Sequence, residues 1–323
     1  MNTYLVTGVA GFIGRSIAAE LLARGKKVRG IDNFATGKHE NLRGLEAMDF
    51  IEADINDAAA VAKACRGVEF VFHEAAIPSV PRSIEDPVTS NHAGVSGTVQ
   101  LLVAAKNAKV RRVIYAGSSS VYGNTPTLPK SEQMQPSPIS PYAVAKLASE
   151  LYMQSFTRVY GLETVTIRYF NVFGPHQDPT SQYSGVLAVF TLKMLAGEAI
   201  TIFGDGEQSR DFTFIQNVVH ANLLASEAPA ECVSGRVFNV ATGNRITLNG
   251  AVEILRDVTG YSGEVRYAPE RGGDVKHSLA DISRAKECFG YEPLFDFREG
   301  IERTVGWYKT VVASTNAHTR SER

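Results

Sequence analysis

Two groups of residues in this 323-residue chain have the types and spacing that chemistry requires. The first is Gly8-Val9-Ala10-Gly11-Phe12-Ile13-Gly14, which follows an apolar run directly and opens an amphipathic stretch. Glycines at such a turn let the backbone approach an anion, and the free N–H groups and positive dipole end of the following helix face it. The spacing is GxxGxxG, one residue looser than GxGxxG, so a glycine turn that only packs helix on strand is the competing reading. Asp32 ends the next apolar run, about twenty residues on, where a carboxylate accepts hydrogen bonds from the ribose hydroxyls of a dinucleotide. Its charge repels a 2′-phosphate, which favours NAD over NADP, and Asp54 after the third run falls near the adenine. The second group is Tyr142-Ala143-Val144-Ala145-Lys146, a phenol and an ammonium one turn apart on one helical face. A phenol of pKa about 10 is a poor base at neutral pH, but an ammonium and a nicotinamide cation both favour phenolate. Upstream, Ser118-Ser119-Ser120 follow another apolar run, where a hydroxyl can relay a proton. Tyr-x-x-x-Lys also recurs on ordinary amphipathic helices, and serines are ordinary loop residues, so the weight lies in the combination.

These residues need a scaffold that gathers them, and the apolar pattern supplies one. Short apolar runs at 4–7, 28–31, 50–53, 70–73, 113–116 and 165–168 read as strands, and three- and four-residue apolar spacing at 13–24, 58–65, 95–108 and 142–160 reads as helices. This alternation predicts a parallel sheet covered on both faces, a doubly wound α/β domain of the Rossmann type. After Gly174-Pro175 the pattern loosens into shorter elements, with helices expected at 248–259 and 297–309, so a second, smaller α/β lobe is expected. The division predicted is a cofactor-binding domain at 1–172, to which the chain returns at 211–243 through a strand at 237–240. Residues 173–210 and 244–313 form the second lobe, followed by a frayed polar tail at 314–323.

With Gly8, Gly11, Gly14, Asp32, the serine run, Tyr142 and Lys146 in this order, the chain resembles the extended short-chain dehydrogenase/reductases, and within them the nucleotide-sugar 4-epimerases. The resemblance covers roughly residues 3–310 and includes Tyr169-Phe170-Asn171, Arg210-Asp211-Phe212 and Arg271-Gly272-Gly273-Asp274. It implies NAD held by Gly8, Gly11, Phe12, Ile13, Gly14, Asp32, Asn33, Asp54, Ile55, Ala75, Ala76, Phe170, Tyr142 and Lys146. It implies a UDP-sugar with Asn171, Arg210 and Arg271 on the diphosphate, Asp274 on the uridine side, Gly185, Val186 and Phe203 around the base, and Ser79, Ser118, Ser119 and Ser278 near the sugar. Guanidinium forks suit phosphate oxygens.

Relatives that dehydrate a sugar carry Asp-Glu after the hydroxyl residue; here Ser119 and Ser120 stand there and cannot move those protons at neutral pH. What remains is oxidation and reduction at one carbon, with Tyr142 as the base and Ser118 as the relay. Ser278 occupies the family's gate position, and its small side chain predicts room for a 2-acetamido group. UDP-glucuronate is the alternative substrate, with Arg82 the nearby cation, and a non-catalytic dinucleotide sensor is the alternative of another class. Two places depart from the pattern: Gly94 stands where the family has Asn, with Asn91 a turn earlier, and Glu74 places a carboxylate beside the expected cofactor groove.

Composition narrows the partners. Lys+Arg total 33 against 34 Asp+Glu, a net charge of -1, so no excess positive charge gathers nucleic acid or anionic lipid. Hydrophobic residues at 44% and charged residues at 21% place the chain among globular proteins. Cys65, Cys232 and Cys288 are far apart, predicting neither disulfide nor zinc site, and no metal is expected. With no basic leader and no bilayer-length apolar run, the expectation is a cytoplasmic protein without membrane insertion. The resemblance implies a homodimer through helices 95–108 and 142–160. His39, His92, His220 and His277 read as surface or packing residues, and His176 sits in the loop after Asn171.

Overall fold

The computed structural model describes residues 2–179, 185–270 and 276–321, with side chains as far as residue 312. The early apolar runs form one seven-stranded sheet in the order Arg236–Val240, Glu163–Tyr169, Arg112–Ser118, Phe70–His73, Thr3–Thr7, Lys27–Asp32, Asp49–Glu52. Every neighbouring pair is parallel. Parallel neighbours need crossovers, and a sheet covered twice buries both faces of each strand. Side chains divide by parity: Tyr4, Val6, Phe72 and Ile114 join one core, Leu5, Val71, Val113 and Tyr115 the other. Helices Phe12–Ala23 and Ile215–Glu227 feed the first core; Ala58–Cys65, Gly97–Asn107 and Pro141–Tyr160 feed the second.

From Thr3–Thr7 the chain steps outward to Lys27–Asp32 and Asp49–Glu52, then crosses to Phe70–His73 on the opposite side. The order reverses there, which opens a crevice above the carboxyl ends of Thr3–Thr7 and Phe70–His73. A buried network fixes that edge. Thr98 Oγ1 donates to the Gly94 carbonyl at 2.6 Å and lies 3.0 Å from His73 Nε2, so it accepts from Nε2–H. Thr7 Oγ1, 2.8 Å from Nδ1, is then the donor there and accepts from the Ala75 amide at 3.1 Å. Burial, with the charge of Lys146, pushes His73 down to about 3, so the ring is neutral.

Beyond Val172–Phe173 the chain builds helix Val186–Leu195, the parallel strands Ile200–Phe203 and Val265–Ala268, and helix Leu248–Thr259. Four elements differ from the sequence pattern. Helix Val186–Leu195 is apolar nearly all round, so it shows no period. Helix Ile215–Glu227 buries Asn217 and Asn222 as well as Val218 and Ala221, which breaks its stripe; Asn217 is satisfied by the Leu294 and Phe295 amides and the Phe295 carbonyl. Helix Gly97–Asn107 starts later than residue 95, after a wider turn at His92–Ser96. The last helix continues to Ser321 because no glycine or proline follows Gly306 to end it. Among the described residues no helix is long and apolar enough to cross a membrane, and no group of three or more His, Cys, Asp or Glu is placed to hold a metal.

Candidate active site

A cleft of ≈ 1240 Å³ runs along the carboxyl edge of the sheet. At one end, Gly8 has φ +67, and a Cβ there would lie 2.8 Å from the Ala75 backbone. A Cβ on Gly14 would lie 2.3 Å from the Gly8 carbonyl oxygen, so the helix starts pressed against its own loop. Gly11 caps this helix without a side chain, leaving the first-turn N–H groups of Phe12, Ile13 and Gly14 beside the cleft for an anion. Asp32 Oδ2 accepts from the Ala10 amide at 2.9 Å and Oδ1 from the Phe34 amide at 2.8 Å. Burial raises its pKa against these bonds, and each oxygen keeps a lone pair for a ribose hydroxyl. Asn33 Nδ2 donates to Asp54 Oδ2 at 2.6 Å, and Asn56 donates twice to Oδ1, at 2.7 and 2.9 Å. Burial opposes them, but those bonds and His92 hold Asp54 below the usual carboxylate range. Ile55, Ala75, Ala76 and Phe170 line the same cleft. This donor and acceptor set fits a dinucleotide.

The middle of the cleft holds Ser118, Tyr142 and Lys146. Helix Pro141–Tyr160 begins at the Ser140 cap, whose Oγ accepts from Ala143 N at 3.2 Å, and the Tyr142 amide donates to Ser83 Oγ at 3.1 Å. Two successive first-turn amides are therefore satisfied by side chains. Lys146 Nζ donates to the Ala116 carbonyl at 2.8 Å and sits 5.9 Å from the Tyr142 ring centroid. The Tyr142 hydroxyl is hydrogen-bonded with Ser118, whose Oγ also accepts from Ser120 Oγ at 2.9 Å and Ser120 N at 3.2 Å. Burial raises the Tyr142 pKa, Glu74's charge raises it further, and the Ser118 bond lowers it. Burial pushes Lys146 down to about 8 against the Glu74 charge. Burial and the Glu74 charge thus outweigh the Ser118 bond at Tyr142, and the nicotinamide cation, the second charge expected to favour phenolate, is not among these groups.

Toward the second lobe, Ser79, Ser119, Asn171, Gly185, Arg210 and Ser278 line the same cleft. An adjoining pocket of ≈ 250 Å³ shares Asn171, Gly185 and Arg210 and adds Val186, Phe203, Phe190, Phe212 and Leu248. Arg210 Nη1 donates to the Ser209 and Lys276 carbonyls, each at 3.0 Å, and Ser278 N donates to the Ser209 carbonyl at 3.0 Å. Arg271 and Asp274 lie outside the described residues. Asp211 organises this side: its carboxylate accepts from Thr242 N and Oγ1, Gly243 N and Ala280 N. Burial still pushes it up to about 6.

Of the departures, Asn91 is exposed, while Thr89, His92 and Ala93 face the cleft. A Cβ on Gly94 would sit 3.3 Å from Ala145 Cβ, so the turn packs closely on the helix of Tyr142. Arg82 is exposed at the cleft rim, and the His176 ring packs against Trp307, tilted by 49° with centroids 4.7 Å apart. Lys38 and Asp178, which no motif marks, bridge two cleft-lining loops at 2.8 Å. Lys130, buried and bridged in parallel to Ala280, also lines the cleft, and a lone lysine after a proline carries no signal of that position.

A model of the NAD dependent epimerase/dehydratase family matches residues 4–241. The chain is 40% identical over 310 residues to UDP-glucose 4-epimerase of Mycolicibacterium smegmatis, covering 94% of this chain and 98% of that protein. It is similar to the crystal structure of UDP-glucose 4-epimerase with UDP-glucose from Thermotoga maritima, with TM-score 0.91 and 38% identity over 97% of this chain and 100% of that one. It is also similar to UDP-N-acetylglucosamine 4-epimerase from Methanobrevibacter ruminantium in complex with UDP-N-acetylmuramic acid, with TM-score 0.90 and 41% identity over 96% and 98% of the two chains.

Proposed function

The chain belongs to the NAD dependent epimerase/dehydratase family, and from that premise we propose that it inverts C4 of a UDP-hexose through a 4-keto sugar. The observation that carries this reading is that one cleft joins the Gly8–Asp32 end, the Tyr142–Ser118–Lys146 cluster and the Arg210–Ser278 wall. NAD would rest on the first-turn amides of Phe12, Ile13 and Gly14, with its ribose on Asp32. The chemistry it supplies when bound is reversible hydride exchange with one sugar carbon.

Tyr142 takes the proton of the 4-hydroxyl, and Ser118 donates to the oxyanion that develops. Lys146 keeps a positive charge beside the phenol. Arg210 and Asn171 hold the diphosphate, so the keto sugar turns about its bond to that group and presents its other face. Tyr142 then returns the proton, and no redox change remains. Residues 1–172 with 211–243 form the cofactor domain in this reading, and 173–210 with 244–313 the sugar-nucleotide lobe. The small, buried Ser278 favours UDP-N-acetylglucosamine as a substrate alongside UDP-glucose.

The active form in this reading is a homodimer. Val103 on helix Gly97–Asn107 and Val144, Leu151, Tyr152 and Val159 on helix Pro141–Tyr160 are apolar and exposed, an apolar face that a second copy would bury. Incubation with UDP-glucose, UDP-N-acetylglucosamine and UDP-glucuronate separately, without added cofactor, followed by proton NMR of the sugar anomers, tests the reading. C4 epimers of the first two are expected. Conversion of the uronate alone would select the alternative substrate, and no conversion of any would leave a dinucleotide-binding protein without catalysis.

A further inference from the structure

We propose that Glu74 is a positioning residue for this reaction: its carboxylate, held by Tyr169, keeps the Lys146 ammonium protonated at the cleft wall. Glu74 follows the last residue of strand Phe70–His73. His73 turns toward Thr98, and its neighbour turns to the opposite face, toward Tyr169. The orientation is fixed from behind. Asn222 Nδ2 donates to the Val218 carbonyl at 2.8 Å and to Tyr169 OH at 2.9 Å, and the single phenolic proton of Tyr169 has Glu74 Oε1 at 2.9 Å as its nearer acceptor and Asn222 Oδ1 at 3.2 Å as its farther one, so the carboxylate takes it. The carboxylate is thereby held half-buried in the cleft wall, and because His73 pairs with Tyr115, Glu74 comes next beside Ala116, whose carbonyl takes the Lys146 ammonium.

Lys146 needs that partner. It is buried, and among the described residues its hydrogen-bond acceptor is a neutral carbonyl, that of Ala116. An ammonium so placed loses its proton readily unless an anion lies nearby. The titratable groups around Glu74 are Lys146 and Tyr142 on helix Pro141–Tyr160, Tyr115 on strand Arg112–Ser118 and Tyr169 on strand Glu163–Tyr169. Lys146 is the cation among them, and burial raises Glu74 to about 7 against the Tyr169 bond and the Lys146 charge.

The effect on turnover rests on the reaction proposed above, whereas the charge relation does not. The test follows the Lys146 Cε resonance through a pH titration of protein carrying ¹³C-labelled lysine, assigned by its loss in Lys146→Arg, beside the pH profile of turnover. Glu74→Gln keeps the shape and an acceptor for Tyr169 but no charge. It is expected to move the Lys146 titration and the alkaline limb of turnover to lower pH, about tenfold in proton concentration. Tyr169→Phe, which leaves the carboxylate without its donor, moves both the same way by less, and Glu74→Asp restores them. Unchanged Lys146 titration in Glu74→Gln and Tyr169→Phe would overturn the assignment, even if turnover fell. If wild-type protein converts no UDP-sugar, the functional reading fails while the titration still decides this one.

Discussion

The Arg168 guanidinium meets the Glu150 carboxylate as a fork, Nε to Oε2 at 2.9 Å and Nη2 to Oε1 at 2.6 Å, with both side chains 3% exposed. The pair ties the middle of the helix that carries Tyr142 and Lys146 to the strand paired with Ser118. Among the described residues Arg168 Nη1 has no hydrogen-bond acceptor, and the guanidinium lies over the Tyr122 ring at 4.7 Å, so Glu150 is the carboxylate that answers its charge. Glu150→Ala should destabilise the protein by roughly 3–5 kcal/mol, because it strands a buried charge, whereas the double variant Glu150→Leu/Arg168→Met should lose much less. Urea unfolding of the two checks this, and equal losses would place the cost in packing instead.

The glycine turn makes a graded prediction. Gly14→Ala must move backbone, since its Cβ would lie 2.3 Å from the Gly8 oxygen, and Gly8→Ala adds a left-handed φ to a 2.8 Å clash. Gly44 has φ +83 with nothing within 4 Å, so Gly44→Ala bears only the conformational cost of about 1–2 kcal/mol. Thermal unfolding and the dinucleotide content of the purified proteins should fall together in the first two variants, and Gly44→Ala should retain its dinucleotide.

His73 sets an acid limit on stability. Its folded pKa, about 3, lies below the ordinary 6.5, so between those values the unfolded chain binds the extra proton. Stability is therefore full above about pH 6.5 and is lost as pH falls toward about 3. Unfolding free energy measured from pH 4 to 7 should climb in wild type and climb less steeply in His73→Gln. Parallel slopes would show that this ring does not carry the dependence.

The sheet was legible because each strand announces itself as a short apolar run beside a helical period, and the first-turn glycines and Asp32 sit at fixed places on that sheet. Tyr142, Lys146 and Ser118 were legible for the same reason: a strand end and a helix start bring them to one edge. What escaped was set by distant contacts. Asp211 reads as one acid in an Arg-Asp-Phe triplet, yet it holds loops thirty-one and sixty-nine residues away. Glu74 gave no hint of orientation, because Tyr169 and Asn222, which fix it, come from a strand and a helix far along the chain. Helix Val186–Leu195 hid because an element apolar on all sides has no period to detect.

Ser278 is 9% exposed and adjoins the Ser209–Arg210 strand at the cleft. Ser278→Tyr fills space without adding charge, so turnover of UDP-N-acetylglucosamine should fall about tenfold or more beyond that of UDP-glucose. Steady-state kinetics on both substrates measures the ratio, and equal losses would remove the volume argument.

In the proposed reaction the hydrogen on C4 leaves and returns within one site. Incubating the protein with UDP-glucose deuterated at C4, in ordinary water and without added cofactor, tests it by NMR and mass spectrometry of the product. A C4 epimer that retains the deuterium at that carbon is expected. Epimer formed with the label washed out into solvent would contradict it.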